Sequence, residues 1–361
     1  MRLSTCSSCG QLVYFENTVC TRCSSVLGFN TDKLTIQSFR LAPDGLLAPL
    51  EPHDQNKYRY CKNGLTHGAC NWVVNAAEPE EFCKACRLNR TIPDLSVENN
   101  LVLWKKIETE KRRLIYSLLV LGLPLRQSDP DASQLEFDFL AETVPVADGS
   151  HRVLTGHDNG LITLNINEAD PSQREKMRMN MAESYRTLLG HFRHESGHYY
   201  WDVLVRDTQW LKPARELFGD DTQDYGEALS AHYNNGAMAD WQLHFVSAYA
   251  SSHPWEDWAE TWAHYLHIID TLETANEFGL TIAPQVSSNK NLQTNVEINP
   301  YDSKKFTTVI QHWFPLTYAL NSLNRSVGHE HAYPFVLAEP VIKKLDLVHR
   351  IVHGQLAADT A

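Results

Sequence analysis

Three features of this 361-residue chain set the expectation of a two-part α+β protein. All eight cysteines fall between Cys6 and Cys86. Two later stretches, 174–193 and 254–266, repeat apolar residues every three to four positions, the period of a helix with one buried face. Short alternating runs between 135 and 166 read as strands. The expected division is a cysteine-rich region over 1–95, then a mostly helical domain over 96–361. The second part should carry a small edge-strand sheet and a helical C-terminal part.

The whole-chain balance narrows the function. A formal net charge of −12 and a pI near 5.8 favour a soluble protein and disfavour nucleic acid as a partner. Met1-Arg2-Leu3-Ser4-Thr5 runs into Cys6 without the apolar core of a secretion signal. The most apolar stretch, Leu114–Leu125, is about a dozen residues, too short to span a bilayer. A cytoplasmic protein with no membrane partner is expected.

In chain order, Cys6-x-x-Cys9 and Cys20-x-x-Cys23 are two knuckles at zinc-ribbon spacing. Each offers two thiolates from one tight turn, and two turns close a tetrahedron. The competing reading, a pair of disulfides, needs an oxidising compartment that the N-terminus does not announce. Cys61, Cys70, Cys83 and Cys86 form a second, less regular set, expected to hold another four-cysteine zinc, with His67 as an alternative ligand. Both sites are closed and therefore structural. Metal is expected to supply most of the folding energy of a region poor in apolar core. The region is also a candidate protein-binding module.

Lys33–Asn56, with Pro43, Gly45, Pro49 and Pro52, reads as an irregular connector. Arg87 and Arg90 have the charge of a nucleic-acid patch, but Glu78, Glu80, Glu81 and Asp94 around them favour a solvated surface or an interdomain contact. From Asn99 to Leu121, Leu103, Ile107, Leu114, Leu118 and Leu121 alternate with Lys105, Lys106, Lys111, Arg112 and Arg113. This reads as a packed helix with a wet basic face, in preference to a membrane-binding one. Leu135–Val144 and Arg152–Ile166 are the expected strands, with turns at Gly149 and Gly160.

The chemistry concentrates in His194-Glu195-Ser196-Gly197-His198, a complete H-E-x-x-H. Pro171 and Ser172 open a helical run in which Met177, Met181, Tyr185 and Leu188 keep the period, and Tyr199, Tyr200 and Trp201 follow the motif. Four residues along a helix return to within about 40° of the start, so both imidazoles leave one face and can share one zinc. Glu195, about 100° away, flanks that metal as a base. In zincin enzymes a strand placed like Leu161–Ile166 borders the cleft and pairs with an extended substrate. An ordinary sheet strand is the alternative.

Trp201 and Leu204 stand where a metzincin needs Gly and His, which excludes that class. An aspartate ligand from Asp220, Asp221 or Asp224 is one option for completing the site. The stronger candidate is Glu256, on a helix where Trp255, Trp258, Trp262 and Leu266 form an apolar stripe. Glu256, Glu260 and His264 line another face. Carboxylates beside a tryptophan-rich surface are costly to bury unpaired. A metal accounts for Glu256, and a hydrogen bond to a ligand imidazole accounts for Glu260. This resembles the E-x-x-x-[DE] arrangement of gluzincins. Tyr249 sits where some gluzincins place an oxyanion donor, with Tyr233 and Tyr265 as competitors. His191, His264 and His267 are read as supporting or surface histidines, and Asn321 and Arg325 as candidates to reach the cleft.

The chain resembles a bacterial family of zinc-binding metallopeptidases with an N-terminal zinc ribbon. The matching residues are Cys6-Ser-Ser-Cys9-Gly10, Cys20-Thr-Arg-Cys23, Cys86-Arg-Leu-Asn-Arg-Thr-Ile-Pro-Asp94, His194-Glu-Ser-Gly-His198-Tyr-Tyr-Trp201 and His253-Pro-Trp-Glu-Asp-Trp-Ala-Glu260. The resemblance runs almost end to end and implies a zincin fold.

The expected activity is peptide-bond hydrolysis of a peptide or protein substrate, with one catalytic zinc on His194, His198 and Glu256 and two structural zincs. The metal brings the pKa of its water toward about 7, and Glu195 takes the proton and passes it to the leaving amine. The alternatives are a zinc-ribbon interaction module with an inactive peptidase-like domain, and a DNA-associated protease.

Overall fold

The structure, a computed structural model, describes residues 2–51, 53–129, 131–142, 153, 155–180 and 187–355. The chain divides into two compact units, Met1–Met181 and Ala182–Ala361.

In the first unit, β1 (Ser4–Thr5) and β2 (Leu12–Val13) pair antiparallel and flank the Cys6–Cys9 knuckle. β3 (Val26–Asn30), β4 (Thr35–Leu41), β5 (Leu47–Pro49), β6 (Tyr58–Tyr60) and β7 (Trp72–Asn75) follow as a closed barrel. Its neighbours are antiparallel except β7, which returns parallel to β3. The stretch expected to be a connector therefore contains two barrel strands. Its Pro and Gly signals are local: Pro43 and Gly45 mark the Ala42–Leu46 turn, where Gly45 has φ +79, Pro49 ends β5, and Pro52 lies outside the described residues. The alternation of β4 was masked because Gln37 and Ser38 are buried polar residues. Gln37 accepts from Asn30 at 2.7 Å and donates to Glu51 at 2.9 Å. Ser38 Oγ donates to Cys6 Sγ at 3.3 Å.

The region also has the apolar core it was expected to lack. Phe39, Leu47, Tyr58 and Val73 pack inside the barrel. Phe15, Phe29 and Trp72 cluster beside it, with the Phe29 and Trp72 rings 4.8 Å apart. A short helix α1 (Lys62–His67) joins β6 to β7.

α2 (Asn100–Val120) closes this cluster with Tyr116, whose ring lies 5.5 Å from that of Phe15. The apolar face is as expected, but the basic face is only partly wet: Lys106 is exposed and Lys105 and Arg113 are half-buried, while the other two basic side chains are buried. Lys111 is 0% exposed and Arg112 5%. Lys111 pairs with Glu108 at 2.8 Å and donates to Asn89. Arg112 donates to the Ala69 carbonyl. Charges are buried here because each has an acceptor fixed by the neighbouring cysteine loops.

A four-stranded sheet follows in the order β10 (Gly156–Asp158), β11 (Leu161–Asn165), β9 (Glu136–Leu140) and β8 (Asn89–Thr91). Gly149 and residues 143–152 lie outside the described residues. Asn159 (φ +49) and Gly160 (φ +88) form a two-residue turn of the Asn-Gly type that pairs Asp158 with Leu161. That turn returns β10 along β11, and β9 takes the other edge in parallel. β11 is thus an interior strand, so the expectation that it lends its edge to an extended substrate fails. β10 and β9 flank it on both sides over Leu161–Thr163.

α3 (Pro171–Asn180) starts where Pro171 predicts, but Met181 and Tyr185 lie outside the described residues. The motif sits in a helix with its own start. The Thr187 hydroxyl caps α4 (Leu188–Leu204) by accepting from the Gly190 N–H at 2.9 Å.

The second unit is built around α7 (Pro254–Glu277), which packs against α4, α5 (Leu211–Phe218), α8 (Phe306–Ser326) and α9 (Glu339–Val352). α6 (Tyr225–Asn235) lies on the surface and contributes no buried residue. A small pair, β12 (Thr281–Ile282) and β13 (Thr294–Asn295), precedes α8. Trp258, Trp262 and Leu266 are fully buried along α7, as the periodicity requires. The indole of Trp258 donates to the Gly197 carbonyl at 2.8 Å, and that of Trp262 to Ser196 Oγ at 3.2 Å. Gly197 is what allows this approach. A Cβ there would stand 2.9 Å from Ala259 Cα and 3.2 Å from Trp262 Cβ. Gly197→Ala gains about 1 kcal/mol of helix propensity but overpacks the contact by about 1–3 kcal/mol. Net destabilisation is expected in a denaturant melt, and a variant more stable than wild type would refute the close-packing account.

Candidate active site

α4 and α7 bring the site together. Along α4, His194 and His198 leave the same face, their rings 5.0 Å apart and steeply inclined at 82°. On α7 the cap is His253, whose Nδ1 accepts from the Trp255 N–H at 3.0 Å. Pro254 opens the helix and Glu256 falls in its first turn, where the helix dipole favours a carboxylate. Neither Glu256 nor Glu260 is therefore spent as a cap.

Glu256 Oε2 lies 3.0 Å from His194 Nε2, and Glu256 Oε1 lies 3.5 Å from His198 Nε2. Donors at roughly 2.0–2.1 Å around a tetrahedral zinc stand about 3.3 Å from one another, so these separations fit one metal. A second observation supports the fit: among the described residues, Oε2 of the 1%-exposed Glu256 is buried and faces no group but the His194 imidazole. An unsatisfied carboxylate oxygen facing an imidazole nitrogen is costly unless a cation lies between them. Two imidazoles and one carboxylate are a donor set that zinc accepts.

The surrounding groups orient these donors. His194 Nδ1 and Glu260 Oε1 are 2.7 Å apart, and Ser247 Oγ donates to Glu260 Oε2 at 2.6 Å. With Glu260 at its Nδ1, His194 would present Nε2 to a metal. The ring of His198 rests on Trp255, with centroids 4.1 Å apart. Glu195 is buried on the flank, its Oε1 3.1 Å from His191 Nε2. Burial raises the pKa of Glu195, but the His191 hydrogen bond and the charges of the nearby histidines bring it down to about 2. Burial likewise opposes the Glu256 charge, yet His198 and His194 hold its carboxyl well below the usual range. Both carboxylates are therefore ionised at neutral pH.

Tyr249 stands at the rim, its ring 6.0 Å from that of His194. Burial, then the fields of Glu256 and its neighbours, pushes its pKa up, so the phenol keeps its proton. Of its competitors, Tyr233 is 62% exposed. Tyr265 is committed elsewhere, its hydroxyl 3.1 Å from His349 Nδ1. The acidic loop is not part of the cluster: Asp220 caps Thr222, Asp221 pairs with Arg215, and Asp224 caps α6. His264 is buried against Tyr333 and His267 packs on Trp313 and Tyr333, both in the core. Asn321 holds the Tyr333 backbone from both sides, and Arg325 donates to Ser322 Oγ.

Sequence reasoning missed Tyr225, whose hydroxyl donates to Glu256 Oε1 at 2.7 Å. It also missed Ser247 and read Trp255 as core; His191, read as a supporting or surface histidine, is a supporting one beside Glu195. The sequence offered that stretch only as acidic residues and a candidate aspartate ligand, whereas Asp224 caps a helix that Tyr225 begins.

The two cysteine sets are clusters as well, each with its sulfurs within 4.8 Å of one another. All eight thiols are free. Cys6–Cys23 and Cys9–Cys20 are 3.6 Å apart and Cys70–Cys83 3.7 Å. The edge of a tetrahedron with zinc–sulfur bonds near 2.3 Å is about 3.8 Å. His67 instead packs edge-on against Trp104.

Comparison with known proteins agrees with this arrangement. Residues 3–97 match a zinc-ribbon domain. Residues 100–351 match the family described as "Putative zinc-binding metallo-peptidase". An uncharacterized protein of Mycobacterium bovis and one of Mycobacterium tuberculosis are each 40% identical over 355 residues, covering 98% of this chain and 95% of theirs. No solved structure matches the chain. The chain belongs to this zinc-binding metallo-peptidase family, a zinc-ribbon domain followed by a peptidase domain of mixed helices and sheets.

Proposed function

We propose that this protein is a zinc-dependent metallopeptidase of the gluzincin type, with a zincin-like catalytic domain that hydrolyses bonds in peptide or protein substrates. The observation that carries the reading is the convergence of His194, His198 and Glu256, with Glu195 left outside that set. A site that only binds metal has no need of a buried, ionised carboxylate beside it.

When bound, zinc would supply Lewis acidity, polarising the scissile carbonyl and acidifying water. Glu195 takes the proton of the attacking water and returns it to the leaving amine. His191 keeps the Glu195 carboxylate in place, and Glu260 keeps His194 in the tautomer that leaves Nε2 open. Tyr249 is the donor we assign to the developing oxyanion; its protonated phenol and its place beside His194 support this. The cysteine clusters are read as two structural zinc sites, and the zinc-ribbon region as a protein-contacting module. Among the described residues no helix is long and apolar enough to cross a membrane. Eight free thiols in two tetrads accord with a cytoplasmic setting.

The test is cleavage of a peptide library by the full-length, zinc-replete protein, read by mass spectrometry. Cleavage that a zinc chelator abolishes and added zinc restores is expected. A zinc-replete protein that cuts nothing would turn the reading toward a peptidase-like binding module.

A further inference from the structure

We propose that Tyr225 is a positioning residue that decides which oxygen of Glu256 is offered to a metal. The inference rests on the metal reading of the site above.

The two oxygens of Glu256 have different surroundings. Oε1 accepts the Tyr225 hydroxyl at 2.7 Å and also faces His198 Nε2 at 3.5 Å. Oε2 is buried and, among the described residues, faces only His194 Nε2, at 3.0 Å. A carboxylate whose first oxygen is engaged by a neutral donor has its terminal rotation set, and the second oxygen carries the free lone pairs. Two histidines and a one-oxygen carboxylate fill three positions and leave the fourth for water, as hydrolysis requires. A carboxylate free to use both oxygens would crowd that position.

Tyr225 is itself held in place for this contact. Its ring packs edge-on against His253 at 5.3 Å and Trp255 at 5.7 Å. Trp255 in turn lies against the His198 ring. Tyr225 is the first residue of α6, a helix that buries none of its residues. The hydroxyl therefore serves the site and not the core: besides Glu256 it meets the side chain of Tyr249, and Tyr225→Phe keeps every ring contact while removing only these hydroxyl contacts, of which the Glu256→Gln background isolates the one to Glu256.

The experiment measures zinc affinity by chelator competition on the full-length chain, in wild type, Tyr225→Phe, Glu256→Gln and the double variant, alongside the melting temperature of each metal-depleted protein. The expected result is zinc bound about 10–100-fold more weakly at this site in Tyr225→Phe, the usual cost of removing a group that orients a ligand. Its melting temperature should be unchanged. In the Glu256→Gln background the second change should cost less, because the two residues act through one contact. Wild-type affinity in Tyr225→Phe would overturn the assignment. So would an equal loss in both backgrounds, or a loss matched by a lower melting temperature. A wild-type chain that takes no zinc beyond its cysteine sites would instead bring down the metallopeptidase reading, and this inference with it.

Discussion

Glu195→Gln is expected to keep its full zinc content and lose about 10²–10⁴-fold in kcat, the usual contribution of a positioned general base. The substitution keeps the size and shape of the side chain. Glu195 is 6% exposed, and its Oε1 lies against His191, so an amide fits the same space. What it cannot do is take a proton from water. Metal content and steady-state hydrolysis of the best library peptide, measured on one preparation, separate the two effects. Turnover at the wild-type rate would remove Glu195 from the mechanism. Loss of zinc along with activity would recast it as a structural member of the site.

His194→Ala is expected to have the larger effect on the protein as a whole. Each of the three donor clusters is read as holding one zinc, so the count per chain should fall from three to two. Hydrolysis should drop to background. Stability should fall as well, because without the imidazole and the zinc it would help hold, Glu260 loses its partner at 2.7 Å and the Glu256 carboxylate, 3.0 Å from that imidazole, loses its compensating cation. Removing one member of a buried charged group leaves the others uncompensated, at a cost of about 3–5 kcal/mol. Metal analysis and a denaturant melt check both parts. An unchanged zinc count would show that the imidazole holds no metal. An unchanged melt would show that Glu256 and Glu260 find other partners.

The helices were legible where one face is buried and the other is wet. In α9, Val341, Leu345, Val348 and Ile351 keep the period and all are buried. In α7, Trp258, Trp262 and Leu266 do the same. The barrel was not legible, because β4 buries Gln37 and Ser38 next to Ile36 and Phe39. Polar residues satisfied on both faces of a buried strand, Gln37 by Asn30 and Glu51 and Ser38 by Cys6, break the alternation on which strand reading depends. Lys111 and Arg112 misled for the same reason: a charge pattern along a helix says nothing of Glu108, Asn89 or the Ala69 carbonyl waiting on the other side.

The sequence by itself determined what depends on local spacing. Two histidines four residues apart must share a helix face, two C-x-x-C turns must present four thiolates, and two glutamates four apart must follow one another along α7. The tertiary structure alone decided what depends on elements far apart in the chain meeting in space. Glu260 meets His194 across 66 positions and Tyr225 meets Glu256 across 31. The strand before the motif turned out to be interior because β10 and β9 occupy both its edges. Periodicity reports which side of an element is buried, but a hydrogen bond between two elements needs both positions, and those are set by packing such as the close contact that Gly197 permits between α4 and α7.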